Sequence, residues 1–256
     1  MRDAAMCGRY ELHTHPAAIA LAFGLPAPPA TLPRYNIAPM QDVPVVRMAP
    51  SGGRELAFVR WGLVPRWAKD PSIGSKMINA RSETLAEKPS FRTALKRHRC
   101  LIPADGFYEW KVTAAGGKQP IHIGMKDRSL FAFAGLTERW LSPAGEVLDT
   151  CTIITTQANA LLATMHDRMP AIVAPAQYGR WLDVAVTDVG EVFAPFPAEA
   201  MTYYPVSTRV NSVRHDDATL IEPVSEAGND SQHAVPAAAA AHVHPHEPPP
   251  EQTELF

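Results

Sequence analysis

Cys7 directly follows Met6, and a cysteine behind a removable methionine can become an N-terminal residue with two nucleophiles on adjacent carbons. Its free α-amine would have a pKa of roughly 7.7 to 8.0 against about 10.4 for lysine, so far more of it is unprotonated at neutral pH and able to attack an aldehyde. The neighbouring thiol can then close on the resulting imine. Closure within one residue is entropically favoured, and the product is a stable five-membered thiazolidine. With Met1 to Met6 attached, Cys7 has no free amine. Methionine aminopeptidases favour a small second residue, which Met6-Cys7 offers and Met1-Arg2 does not. Translation from Met6, or removal of the extension by self-processing, is therefore expected.

Three further segments pair reactive groups with loop punctuation. Glu109 sits among Phe107, Tyr108 and Trp110. Facing inward, its carboxylate would be desolvated and its pKa raised into the range of a proton shuttle; facing outward, it is a solvated position on an alternating strand. His166 ends a helix-like stretch and suits a general acid or base, or an ordinary surface histidine. Arg81 and Arg168 can clamp a phosphate bidentately, and Asn79 can hold a sugar or phosphate oxygen; either arginine can equally be a structural ion pair. Trp61 and Trp67 flank Gly62, Pro65 and Arg66, an arrangement suited to stacking unpaired bases, although at least one tryptophan is expected in the core.

These groups need a scaffold, and 256 residues with 46% hydrophobic content can supply it. There is no long apolar run and no secretory leader, which predicts a cytoplasmic protein without a membrane partner. Cys7, Cys100 and Cys151 are too scattered for a disulfide framework and form no Cys-x-x-Cys pair. Five of the 26 acids and no Lys or Arg lie from Pro223 onward, so the body carries 24 basic against 21 acidic residues. That slight excess is compatible with nucleic acid without requiring it.

The body reads as an α+β domain on a strongly antiparallel, barrel-like sheet with flanking helices. Strands are expected over Val43 to Met48, Glu55 to Trp61, Phe107 to Val112, Ile121 to Met125, Leu130 to Trp140 and Val147 to Thr155. Thr14 should cap a helix over Pro16 to Phe23, and Ser90 a second one through His98; further helices are expected over Ala158 to Met165 and Gln177 to Asp183. Residues 223–256, with Ala237 to Ala241, Pro248 to Pro250 and four histidines, read as a disordered tail. His242, His244 and His246 lack a second ligand cluster, so no metal site is expected there.

Six segments occur in order: Cys7-Gly8-Arg9-Tyr10, Tyr35-Asn36-Ile37-Ala38-Pro39, Arg60-Trp61-Gly62-Leu63-Val64-Pro65, Asn79-Ala80-Arg81-Ser82-Glu83-Thr84, Gly106-Phe107-Tyr108-Glu109-Trp110 and His166-Asp167-Arg168-Met169-Pro170. Together they resemble the SRAP family, the SOS response-associated peptidases understood as abasic-site processing proteins, over a domain at 7–222. The resemblance implies a bacterial, nucleoid-associated DNA damage response protein that recognises abasic sites in single-stranded DNA and crosslinks to them through Cys7. Asn79 and Arg81 match positions that bind DNA around the lesion and position the cysteine. Glu109 matches the carboxylate handling proton transfers, and His166 the histidine assisting ring opening and reversal. Pro39, Trp61 and Trp67 lie in segments that contact bases or shape the DNA groove, with Arg66 and Arg168 as further DNA-binding candidates. No metal or organic cofactor is implied, and nothing argues against a monomer.

Two other functions fit some of the residues. A cysteine peptidase or amidase would use Cys7, His166 and Asn79; a non-covalent single-stranded DNA binder would leave Cys7 idle. The chain ends Gln252-Thr253-Glu254-Leu255-Phe256, which resembles the peptide that docks bacterial polymerases and repair proteins on the β sliding clamp through Gln252, Leu255 and Phe256.

Overall fold

The computed structural model describes residues 7–114 and 116–225. The leading segment 1–6 and the tail from 226 onward, with the expected clamp peptide, lie outside the described residues. Among the described residues, thirteen strands form two sheets. The first sheet has the order β13 (Met201–Pro205), β8 (Lys118–Met125), β7 (Gly106–Val112), β1 (Tyr10–Leu12) and β2 (Arg34–Ile37), all antiparallel.

In the second sheet, β3 (Asp42–Met48), β4 (Arg54–Trp61), β10 (Val147–Gln157), β9 (Phe131–Leu141) and β6 (Arg99–Ala104) pair in a ring, because β10 joins both β4 and β9. This closed five-strand barrel answers the sequence expectation. Closure leaves no free edge along the ring. β5 (Asn79–Arg81), β11 (Arg168–Pro170) and β12 (Ile172–Val173) extend it, and β10 pairs in parallel with both β4 and β5. Val, Ile and Thr dominate β3 and β10, whose branched side chains suit a pleated surface. Gly145, at φ 88°, turns β9 into β10, its N–H donating to Ser142 O at 2.9 Å.

The sheets meet through aromatic rings. Tyr10 lies 5.5 Å from Trp61 and 5.8 Å from Phe133, and Phe107 lies 5.9 Å from Phe133, all edge to face. Such pairs contribute about 0.5–1.5 kcal/mol each beyond burial. Successive strand residues point to opposite faces, so the first sheet also has a back face. There Tyr108 packs with Val206, Val210 and Leu220. Polar staples fix this C-terminal strap. Arg9 Nη1 donates to Val210 O (2.7 Å) and to Asn36 Oδ1 (2.6 Å), while Asn36 Nδ2 donates to Ser212 O (3.0 Å) and His215 O (2.7 Å). Trp110 Nε1 donates to Asn211 Oδ1 at 2.7 Å.

The same back face holds a buried pair, Glu11 Oε1 and His122 Nε2, at 2.7 Å. The pair reaches from β1 to β8 across Gly106 of the intervening β7. A Cβ at Gly106 would collide with His122 Nε2 and stand 2.7 Å from Glu11 Oε1, so only glycine fits beneath it.

Helix expectations needed correction. α1 is Pro16–Phe23 as expected, buries Ile19, Ala20 and Phe23, and ends at Gly24 in the left-handed region. Its cap is His15, because the Thr14 hydroxyl and amide both donate to Asp105. The second helix, α2, spans only Arg92–Arg97 and lacks a side-chain cap: the Phe91 and Arg92 amides both donate to Lys88 O, which leaves Ser90 outside. Over Ala158 to Met165 only a 3₁₀ turn forms, Leu162–Thr164. Asn159 accepts from the Leu162 amide and donates to Phe196 O, a local alternative to helical pairing. The fourth region is a 3₁₀ turn, Pro175–Gln177, followed by α3, Tyr178–Leu182.

Candidate active site

Cys7 stands three residues before β1, and Glu109 lies on the adjacent β7. Tyr10 is opposite Phe107 in this pairing, so Glu109, two residues on, shares the inner face with both. Cys7 has φ 49°, a left-handed conformation uncommon for a non-glycine residue. The turn brings its backbone nitrogen to 2.8 Å from Glu109 Oε1, into which it donates. Glu109 is only 8% exposed. Burial pushes its carboxyl from the ordinary 4.5 up to about 7, against smaller opposing effects from the backbone of Cys7 and Trp110 and from Lys118. Burial and then the Glu109 charge push the Cys7 thiol well up. The result is a buried carboxyl raised toward neutrality that accepts from the Cys7 backbone nitrogen, a nitrogen that trades protons with a carboxylate only as a free amine.

Asn79, Arg81, His166 and Arg168 gather around β10. In β5, Asn79 pairs with Ile153 and Arg81 with Thr155; on the other side of β10, Arg168 pairs with Gln157. The His166 amide donates to Leu162 O at 2.9 Å, and its Nδ1 accepts from the Arg168 amide at 3.1 Å. The Arg168 guanidinium forms a fork with Glu83, Nη1 to Oε1 at 3.0 Å and Nη2 to Oε2 at 2.9 Å, and Nη2 also donates to Thr155 O at 2.7 Å.

Trp61 ties the two groups together. It is fully buried, its ring packs against Tyr10, and its Nε1 donates to Ile78 O at 2.9 Å, one residue before Asn79. It is the core tryptophan that the sequence called for. Met40, next to half-buried Pro39, donates its amide to Trp61 O at 2.7 Å, which places the Pro39 turn on the same support. Trp67 is the opposite case, 59% exposed beside a cleft of about 330 Å³ lined by Lys69, Asp70, Ser72, Ile73 and Lys76. The loop carrying Trp67 is held where Gly62 meets Gly74: a Cβ on Gly62 would lie 2.8 Å from Gly74 O. Arg66 donates from Nε to buried Glu138 at 2.7 Å, leaving much of its side chain exposed.

Sequence reasoning gave no role to Glu83, Asn36, Glu11 or His122. Gly106 was the one available signal for the Glu11–His122 pair, since a glycine inside a strand often marks a close approach. Among the described residues no cluster of His, Cys, Asp or Glu suits a metal ion, and no helix is long and apolar enough to cross a membrane.

A family model described as SOS response associated peptidase (SRAP) matches residues 6–213. Abasic site processing protein YoqW of Bacillus subtilis (strain 168) is 46% identical over 223 residues, 85% of this chain and 99% of its own length. Abasic site processing protein HMCES of Gallus gallus is 38% identical over 224 residues, 75% of this chain and 66% of its own. A crystal structure of a protein from Bacteroides thetaiotaomicron superposes with a TM-score of 0.77 at 27% identity, covering 86% of this chain and 100% of that one.

Proposed function

The chain belongs to the SOS response associated peptidase (SRAP) family, and on that footing we propose that it recognises abasic sites in single-stranded DNA and captures them through Cys7 as a reversible thiazolidine crosslink. The contact that carries this is Cys7 N to Glu109 Oε1 at 2.8 Å, a buried carboxylate against the nitrogen that becomes the nucleophile. The reactive form begins at Cys7, once the preceding residues are absent or self-processed.

An abasic deoxyribose is mostly a closed hemiacetal, and opening it requires proton transfers. His166 supplies a proton to the ring oxygen while the C1 hydroxyl gives up its own to water, so the C1–ring oxygen bond breaks and the aldehyde forms. Glu109 as carboxylate takes a proton from the Cys7 ammonium, and the freed amine adds to the aldehyde carbon. The protonated Glu109 then gives a proton to the new hydroxyl, which leaves as water and yields the protonated imine. The Cys7 sulfur adds to the imine carbon, its proton passes back to the Glu109 carboxylate, and the five-membered ring closes with net loss of one water. Because the thiol is held protonated, the amine attacks first. Closure removes the imine through which an abasic strand would break by β-elimination. The same groups run the steps backward. Asn79, Arg81, Arg66, Trp67 and Pro39 hold the strand around the lesion, in a protein acting as a monomer in the DNA damage response of the bacterial nucleoid.

Incubating the protein that begins at Cys7 with single-stranded DNA bearing one abasic site should give an adduct that survives denaturation and is lost in Cys7→Ser. Reversible binding alone, or peptide cleavage with no adduct, overturns the proposal, as does an intact mass showing that the active protein retains residues 1–6. The terminal Gln252, Leu255 and Phe256 are assigned to the β sliding clamp, concentrating the body at single-stranded gaps. Deleting residues 252–256 should abolish clamp capture and leave the adduct rate on free DNA unchanged.

A further inference from the structure

We infer that Trp140 is a positioning residue for Trp67: its indole N–H anchors the turn that presents the Trp67 ring to an unpaired base. The inference rests on Trp67 as a strand contact of the proposed function, and it concerns what holds that ring before DNA arrives. Arg66 and Trp67 are the two central residues of a turn closed by the Ala68 amide, which donates to Pro65 O at 2.9 Å. That bond fixes the shape of the turn but not its place on the barrel. The near end is seated, since Leu63, Val64 and Pro65 are buried and the Val64 amide donates to Thr150 Oγ1 at 3.0 Å. The far end leads into exposed Lys69 and Asp70.

Trp140 ties down that far end. It lies on β9, is 5% exposed, and its Nε1 donates to Ala68 O at 2.7 Å. Glu138, two residues earlier and so on the same face of β9, accepts from Arg66 Nε at 2.7 Å. One strand face thus holds the residue before Trp67 and the residue after it, and the ring between them stays 59% exposed. An aromatic ring on a loose turn gives up freedom when a base stacks on it, and anchoring the turn in advance removes that cost. The neighbouring part of the cleft is set separately, by Gly74 of the 3₁₀ turn Pro71–Lys76 lying against Gly62. Trp140 therefore bears on strand binding and not on the chemistry at Cys7.

Trp140→Phe keeps a buried ring and removes the donor. In the protein that begins at Cys7 it is compared with the parent and within Trp67→Ala, by affinity for undamaged single-stranded DNA and by adduct rate at saturating abasic DNA. Trp67→Ala should weaken binding about 10-fold and Trp140→Phe about 5-fold, with the saturating adduct rate of Trp140→Phe within about 2-fold of the parent. In the Trp67→Ala background, Trp140→Phe should change affinity by less than about 1.5-fold, because the two act through one contact. A benzothiophene analogue of tryptophan at position 140, which exchanges only the indole N–H for sulfur, makes the same comparison with the packing intact and should show the same loss. Unchanged affinity in Trp140→Phe and in the analogue overturns the inference. So does an equal loss in the Trp67→Ala background, or an adduct rate that falls in step with affinity, either of which makes Trp140 a general support of the fold. If Trp67→Ala itself binds as the parent does, the strand contact of Trp67 falls and the positioning role with it, while capture through Cys7 is read separately from its adduct.

Discussion

Glu109 and Glu11 are both buried carboxylates of the first sheet, 8% and 1% exposed, on neighbouring strands but opposite faces. Glu11 has the His122 imidazole at 2.7 Å from Oε1 and the His13 ring 3.6 Å from Oε2. Glu109 is met by the Cys7 amide, and among the described residues no cationic side chain pairs with it. Its carboxyl consequently rises to about 7. Burial without a paired cationic side chain is what raises the Glu109 carboxyl.

Glu109→Gln breaks the contrast most severely. Removing a general acid–base group should slow adduct formation about 10²- to 10³-fold, measured in single turnover. The same change should stabilise the fold at high pH. The folded state favours protonated Glu109, so its contribution is complete below 4.5 and is lost as pH rises through about 7. The gap between those values, at about 1.4 kcal/mol per pH unit, is roughly 3 kcal/mol. Urea melts at pH 8 should therefore show the variant to be more stable than the parent, and melts near pH 4 should show the two alike.

On the back face the expected outcome is reversed. His122→Ala leaves Glu11 buried without its partner and should cost about 3 kcal/mol in urea melts, while the adduct rate per folded molecule stays within a few-fold of the parent. Gly106→Ala forces a methyl under the pair and should cost about 2 kcal/mol by the same measurement. A matching loss of adduct rate in His122→Ala would mean that the two faces are not separable. The smallest effect tunes the first face: Lys118 holds the Glu109 carboxyl down slightly, so Lys118→Met should shift the rising limb of the pH–rate profile to higher pH by a fraction of a unit.

The barrel was legible because its strands are long and rich in branched and aromatic residues, and Val43 to Met48, Glu55 to Trp61 and Val147 to Thr155 form strands within one to two residues of expectation. Caps were not, since a hydroxyl such as that of Thr14 is claimed by Asp105, 91 residues away. The chemistry of Cys7 follows from its type, whereas its contact with Glu109 joins positions 102 apart, and order along the chain suggested it only through the family resemblance. Arg168 forms a fork with Glu83 across 85 residues, a pairing that no local pattern encodes. Short strands such as β5, β11 and β12 carry two or three residues each, too few for alternation to register.

Arg9 and Asn36, which brace the strand next to Cys7, find their acceptors at Val210, Ser212 and His215. Those acceptors are among the last parts of the domain to leave the ribosome. The hydrogen bonds around β1 and β2 therefore close only once the chain has been made through residue 215.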